Sequence, residues 1–354
     1  MKNKAVKFFD ATVHPGEQAS LALPLPEMFT CAPMYMPIKV IHGKEAGPTV
    51  LIIAAMHGNE VNGTEIINKL RKKSELSELK GTLIMIPVMN VYGMTHRSRY
   101  MPDGAELDRS FPGSESGSHA ARLTNLFTAE VLDKADYCID LQTGALNHSN
   151  LPQIFADLSS TATSELAKAF ATPVISNANI EEGSLRKVCQ ERSIPLLVYE
   201  AGEAMRFDQQ AIEIGVRGVM NVLNTLGMLE QETNGSANEP VITRRSGWIR
   251  SPKSGIAKEV VGLGQKVSKN QKIAVIQDPF GAGDDTPVVS PKEGIIVSIN
   301  NQPLIHEGEA LFHLAMMPEV EEAETTIQEW QEQQEGQMQE EQKQEGSSKT
   351  DSQE

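Results

Sequence analysis

The sequence predicts an α/β fold, a mostly parallel sheet with helices on both faces, followed by a small all-β sandwich and a disordered acidic tail. Three observations carry that prediction. Short apolar runs alternate with amphipathic stretches up to about residue 227 of the 354, and strands that alternate with helices assemble into a sheet covered on both sides. Beyond residue 244 the texture changes to brief apolar runs punctuated by Gly and Pro, and one motif returns: SPKSGI at 251–256 recurs as SPKEGI at 290–295, 39 residues on. From 318 to 354 there are 12 acids against Lys343 and Lys349, so −10 of the formal net charge of −15 lies in that stretch and −5 in the body.

The elements follow in order. Residues 49–56 are a short, continuously apolar run, the pattern of a strand buried on both faces. Residues 62–73, NGTEIINKLRKK, put apolar side chains at 66, 67 and 70 and close on a basic end without proline, which predicts a helix. Further strands are read at 82–89, 137–141, 173–176 and 195–200, with helical patterns at about 119–134, 160–171, 184–193 and 208–227. The stretch 226–244, rich in Asn, Gly, Ser and Glu, marks a linker. The boundaries are then 1–230 for the α/β region, 231–244 for the linker, 245–317 for the sandwich and 318–354 for the tail. Behind each copy of the repeated motif comes a matching turn and strand, at 265–276 and 303–314. Two such units, each unable to bury its own face, interlock into one sandwich. The plan resembles the barrel-sandwich hybrid of biotinyl and lipoyl carrier domains, but the hairpin DPFGAGDDT at 278–286 has no lysine to carry a prosthetic group. The tail is Glu/Gln-rich with few apolar anchors and cannot offset its ordering entropy, so it is expected to stay disordered, with at most a transient helix around 327–334.

Composition limits the function classes. No apolar run reaches membrane-spanning length, so a membrane role is not expected. The N-terminal MKNKAVKFFDATVHPGEQ has neither a hydrophobic signal region nor a small-residue cleavage site, which points to a cytoplasmic protein. Cys31, Cys138 and Cys189 are too few and too scattered for a disulfide framework or a Cys-rich metal site. Lys and Arg do not cluster with the scarce aromatics, so nucleic acid is not an expected partner. A small-molecule substrate is expected, and self-assembly of the chain stays open.

Open α/β sheets bind ligands at the carboxyl ends of their strands. The residues at those exits are His57 and Glu60, Asn90, Gln142 with Thr143, and Glu200, all of them polar. His57 and Glu60, in HGNE (57–60), pair an imidazole nitrogen with a carboxylate, a donor set suited to Zn²⁺, and catalytic zinc commonly takes three protein ligands plus a water. The same spacing also fits a helix-capping histidine beside a solvated first-turn acid. Glu200 ends the apolar run PLLVYE, whose surroundings raise a carboxyl's proton affinity toward neutrality and suit a general base. Glu203 is its neighbouring competitor. Arg99 and Arg109 lie in the long polar loop THRSRYMPDGAELDRSFPG, where guanidinium forks fit a substrate carboxylate or a developing oxyanion. Together these residues outline metal-assisted hydrolysis of an amide or ester.

HGNE (57–60), Asn90, RY (99–100), LDRSFPG (107–113), IDLQTG (139–144) and YEAGE (199–203) occur in the order found in the succinylglutamate desuccinylase/aspartoacylase family of zinc carboxypeptidase-like hydrolases. The chain resembles that family over roughly residues 25–230. The resemblance implies a zinc carboxypeptidase-like fold and one Zn²⁺ per chain held by His57 and Glu60. It also implies that Arg99 polarises the scissile carbonyl, that Asn90, Asp108 and Arg109 meet the substrate, and that Glu200 is the general base. A trailing sandwich like 245–315 is similar to that of bacterial members that deacylate N-acylated amino acids.

Two positions depart from the family pattern. Gln142 stands where the third zinc ligand, the histidine of D-L-H-T-G, is found. An amide oxygen is a poorer zinc donor than imidazole, so metal affinity falls unless Gln142 ligates weakly or another group such as His148 completes the site. Asp108 stands where D-L-N-R has an amide, and an acid there disfavours an anionic substrate group and favours a cationic one such as a free amine. The expected activity is zinc-dependent release of an acyl group from a small N-acylated amino acid or related amide. A metal-poor binding protein that keeps the pocket and a carboxypeptidase acting on peptide or oligo-glutamyl ends are the alternatives.

Overall fold

A computed structural model describes residues 3–9, 11–230 and 239–350 of the chain. They fall into two units, Met1–Gly235 and Ser236–Glu354. The first unit opens with the paired strands β1 (Val6–Phe8) and β2 (Ala11–Val13), then β3 (Gln18–Pro24), β4 (Tyr35–His42), β5 (Thr49–Ala54), α1 (Asn62–Leu70), β6 (Thr82–Ile86) and α2 (Val91–Thr95). After a long loop come α3 (His119–Glu130), β7 (Tyr137–Gly144), β8 (His148–Ala156), α4 (Thr161–Phe170), β9 (Val174–Asn177), α5 (Leu185–Glu191), β10 (Leu196–Glu203) and α6 (Gln209–Thr225). The strands and helices expected between 49 and 227 are all present, with ends moved by a few residues.

The sheet of this unit keeps the expected parallel core and is mixed toward its edges, where β9 also pairs parallel with β8. Its centre, β10-β7-β5-β6, is parallel, whereas β8 runs antiparallel to β10, β4 to β6 and β3 to β4. The reason is chain length. Residues 145–147 are all that join β7 to β8, too few for the crossover a parallel neighbour requires. β5 and β6 are buried on both faces, with Val50–Ala54 and Leu83–Ile86 fully excluded from solvent. On one face Leu51, Ile53, Ile84 and Ile86 share a core with Leu123, Phe127 and Val188 of the covering helices. Toward the other, α1, α4 and α6 pack together, and Tyr199 stacks on Phe170 at 5.0 Å while donating its hydroxyl to the Ala211 carbonyl at 2.7 Å. Each fully buried aliphatic side chain contributes about 1.5–3 kcal/mol. Gly63 lets α1 approach this closely: a Cβ there would lie 2.5 Å from the Leu141 carbonyl oxygen. That close approach sets the HGNE loop, just ahead of α1, against the ends of β5 and β7.

The second unit contains β11 (Val241–Thr243), β12 (Arg245–Arg250), β13 (Gly255–Glu259), β14 (Lys266–Val267), β15 (Lys272–Gln277), β16 (Thr286–Val289), β17 (Gly294–Asn300), β18 (Leu304–Ile305), β19 (Ala310–Met316) and α7 (Val320–Thr350). The antiparallel sets β16-β15-β13-β18 and β12-β19-β17-β14 enclose Ile249, Val267, Ile273, Ile296, Ile305 and Phe312. The repeat seen in the sequence is a repeat of bonds. Ser251 Oγ donates to the Lys253 carbonyl and Ser290 Oγ to the Lys292 carbonyl, both at 2.6 Å. The Ser251 backbone pairs with Gly308 and Glu309 of the second copy, and the Ser290 backbone with Asn270 and Gln271 of the first. Each motif is thus held by the other copy's turn, which is why neither can close alone.

Two expectations change here. Of the linker at 231–244, residues 231–238 lie outside the described residues, and Val241–Thr243 is a strand whose Thr243 Oγ1 lies 2.9 and 3.0 Å from the carbonyls of Arg245 and Met316. The expectation of a disordered tail is corrected over Val320–Thr350, which is helical. Val320, Ala323, Ile327 and Trp330 are buried at helical spacing, and α7 contacts β11, β14 and β17. Glu and Gln are good helix formers, and the average composition concealed one short apolar stripe. Residues 351–354 lie outside the described residues.

Candidate active site

β5 ends at Ala54, and the chain turns at Ala55, whose φ of +51° is a left-handed conformation costly for any residue with a Cβ. The backbone amides of Met89 and Asn90 donate to the carbonyls of Ala54 and Ala55, tying the exit of β6 to that of β5. This turn delivers His57 and Glu60, both buried. His57 Nδ1 lies 2.8 Å from Glu60 Oε1, and Glu60 Oε2 accepts from the Thr143 amide at 3.1 Å. Gln142 sits opposite Glu200 in the parallel register of β7 and β10. Its Nε2 donates to Asp140 Oδ2 at 2.6 Å.

The long loop after α2 adds the cations and another acid. Arg99 reaches Glu60 Oε1 with Nη1 at 3.3 Å and grips Glu106 through Nε at 3.0 Å and Nη2 at 3.4 Å. Asp108 Oδ2 stands 3.4 Å from His57 Nε2, an ion-pair contact without a hydrogen bond's alignment. Asn90 is fully buried: its Oδ1 accepts from the Gly93 amide at 2.7 Å and its Nδ2 donates to the Arg99 carbonyl at 3.5 Å, so it caps α2 and braces the Arg99 loop. Arg109 has a side chain 68% exposed, 3.4 Å from Glu106 and 3.8 Å from Glu181. Glu200 accepts from Asn150 Nδ2 at 3.0 Å. Glu203 instead meets Ser149 and Arg206, and His148 Nδ1 lies 3.1 Å from the Leu146 carbonyl at the start of β8.

These groups surround a cavity of about 220 Å³ lined by His57, Arg99, Asp108, Asp140, Gln142 and Glu200, with Ser184, Leu185, Arg186, Leu196 and Val198. Glu60 stands behind His57, while Asn90 and Arg109 are not among the lining residues. Sequence reasoning missed Asp140, Glu106 and Arg186. Arg186 lies in the first turn of α5, after the exit of β9, and extending the strand-exit rule to that short strand is the signal that reaches it.

Burial pushes the Glu200 carboxyl up to about 7, and it does the same to Asp140. Burial alone would lower His57, but Glu60 on one side and Asp108 on the other outweigh it and raise the imidazole to about 10. For Asp108, burial is outweighed by His57 and the two arginines, so its carboxyl stays below the usual range. Among the described residues, His57 Nε2, Asp108 Oδ1, Asp140 Oδ1 and Arg186 Nε are buried without a hydrogen-bond partner, and all belong to the cavity lining. Orphaned polar atoms are costly and uncommon, so their concentration here marks a ligand site. Ligand atoms of His57, Glu106 and Asp108 lie within 4.8 Å of one another. An imidazole nitrogen amid carboxylate oxygens fits a divalent cation of the zinc type.

Residues 46–226 match the model of the Succinylglutamate desuccinylase/Aspartoacylase catalytic domain. The N-alpha-acetyl-L-2,4-diaminobutyric acid deacetylase of Halomonas elongata is 29% identical over 260 residues, covering 70% of this chain and 75% of its own. The crystal structure of a succinylglutamate desuccinylase/aspartoacylase from Rhodobacter sphaeroides superposes with a TM-score of 0.77 at 22% identity, over 85% of this chain and 95% of that one. The product-bound ectoine utilization protein EutE (DoeB) from Ruegeria pomeroyi gives the same TM-score and coverage at 24% identity. At such identities the two structures establish the fold alone. The match over 46–226 covers half of the chain, and the protein belongs to the succinylglutamate desuccinylase/aspartoacylase family.

Proposed function

We propose that the protein is a zinc-dependent amidohydrolase that removes the acyl group from a small N-acylated amino acid carrying a free amine. The observation that supports this most is the convergence of His57, Arg99, Gln142 and Glu200 on one cavity, with Glu200 brought near neutrality by burial. His57 and Glu60, with the Gln142 amide oxygen, would hold the metal, and the carboxylates of Glu106 and Asp108 are donors within reach of the same imidazole. When bound, zinc supplies Lewis acidity to a carbonyl and lowers the pKa of its water. Glu200, with a proton affinity matched to neutral pH, takes the water proton and returns it to the leaving amine. The Arg99 guanidinium lines the cavity and supports a developing oxyanion.

Asp108 beside His57 gives the binding side its charge preference, for an ammonium over a carboxylate. The Halomonas elongata relative is named for a substrate of that kind. Arg186, whose Nε has no partner, is the cavity's free fork for the substrate carboxylate, since Arg109 is turned toward Glu106 and Glu181. Asn90 acts by bracing Arg99. The carboxypeptidase-like architecture, a barrel-sandwich-like second unit without a carrier lysine, and a cytoplasmic location belong to the same reading.

The test is a panel of N-acetyl and N-succinyl amino acids, amine-bearing and carboxylate-bearing, assayed with and without added zinc. Glu200→Gln should lower kcat by about 10²–10⁴ with KM little changed, and Asp108→Asn should narrow or reverse the preference for amines. No hydrolysis of any member by zinc-loaded wild type would leave the binding-protein reading in its place.

A further inference from the structure

Beside the catalytic cavity lies a larger one of about 340 Å³. Arg186, Leu196 and Val198 line both. Side chains alternate along a strand, so Leu196, Val198 and Glu200 face the same side of β10, and the floor is continuous from the second cavity up to Glu200. Past Val198 and Leu196 the walls include Phe155, Ala178 and Ile194, with Asp157, Ser160 and Thr163 among the polar lining residues. The guanidinium carbon of Arg186 sits 5.8 Å from the Phe155 ring centroid, above this apolar track. Gln190 and Ser193, both exposed, are also among its lining residues.

We propose that the second cavity receives the acyl chain of the substrate, so that the enzyme accepts medium-length aliphatic acyl groups as well as short ones. The proposal rests on the deacylase reading, which puts the scissile carbonyl beside His57 and Glu200. Two groups extend from that carbonyl. The amino-acid side carries charges, which Arg186 at the shared edge and the polar groups of the catalytic cavity pair, whereas deeper in, burying an unpaired charge against Phe, Ile, Leu and Val is strongly unfavourable. The acyl side carries none, and each methylene it buries is worth a factor of about four in affinity. At about 30 Å³ for each water-sized group, about 340 Å³ has room for roughly eleven such groups, more than a chain of six to eight carbons needs.

Two readouts test this on the full-length protein: calorimetric binding of free alkanoates from acetate to octanoate, and kcat/KM for the acetyl to octanoyl forms of one amino acid. Wild-type Kd should fall about fourfold per added methylene as far as hexanoate, with kcat/KM following. Ala178→Trp fills the cavity, and Gln190→Trp obstructs its exposed rim without entering the core. Each should abolish the gain for hexanoyl while acetyl turnover stays within about twofold of wild type. A Kd independent of chain length, or a gain that survives in both variants, overturns the proposal. Length-dependent binding that the variants abolish, without hydrolysis of any acyl amino acid, upholds the cavity assignment and sinks only the hydrolase reading.

Discussion

Gln142 is where the metal question is decided. Asp140 takes its N–H at 2.6 Å, which leaves the carbonyl oxygen as the atom the side chain can offer a cation. A histidine at 142 would bring an imidazole nitrogen in place of that oxygen, with Asp140 already positioned to accept its other N–H, the outer-shell arrangement that raises ligand basicity. Gln142→His should therefore lower the zinc Kd by about one to two orders of magnitude in equilibrium dialysis. An unchanged Kd would put position 142 outside the coordination sphere. His57 and Glu200 were legible in the sequence because each follows an apolar run, where strand geometry assigns the ligand-binding edge. Arg186 was within reach only by extending the strand-exit rule to β9, and its place beside Leu196 and Val198 on the same cavity is a neighbourhood created by folding. Asn90 was legible as a polar residue at a strand exit, but the sequence carries no sign that its amide is spent on Gly93 and Arg99.

Among the elements, the alternating runs were read well and the irregular ones poorly. β8 contains Pro152, which argues against a strand. The register with β10 shifts between Gln153 and Asn150, so the proline falls inside the irregular stretch. α7 was expected only as a transient helix around 327–334 because its apolar residues are sparse, yet Ile327 is fully buried. Ile327→Ala should cost about 2–4 kcal/mol in chemical denaturation, and a wild-type midpoint would return the segment to the status of a dispensable tail. A second prediction concerns β12 and β19, which stack Trp248 on His313 at 4.6 Å between ring centroids. Burial lowers His313 to about 4, so between that pH and about 6.5 the unfolded chain binds a proton that the folded one refuses. The stabilising contribution is full above pH 6.5 and is lost as the pH falls toward 4, about 3 kcal/mol in all. Urea denaturation of wild type and His313→Phe at pH 7 and pH 4.5 should show that extra acid sensitivity in the wild type alone; equal sensitivity would assign it to other groups.

At the scale of the whole molecule, the two-unit plan was visible because a change from helical to β texture reflects a change in how apolar surface is buried. The convergence of loops from β5, β6, β7 and β10 on one cavity could be expected from the strand-exit rule, whereas the balance of charge within it could not. The carboxylates of Glu60, Glu106, Asp108, Asp140 and Glu200 gather around the guanidiniums of Arg99 and Arg186 and the ring of His57. Outside residues 318–354 the chain carries a formal −5. A field of that sign draws in a dication or an ammonium group and repels a carboxylate. Raising the ionic strength from about 0.01 M to about 0.1 M shortens the Debye length from about 30 Å to about 10 Å and screens all but the nearest charges. If amine-bearing acyl amino acids are the substrates, their kcat/KM should drop severalfold over that range, while isosteric carboxylate compounds hold steady or improve. Identical salt responses for the two classes would mean that the bound metal and the arginines set the potential at the mouth, and the preference for a cationic substrate would have to be given up.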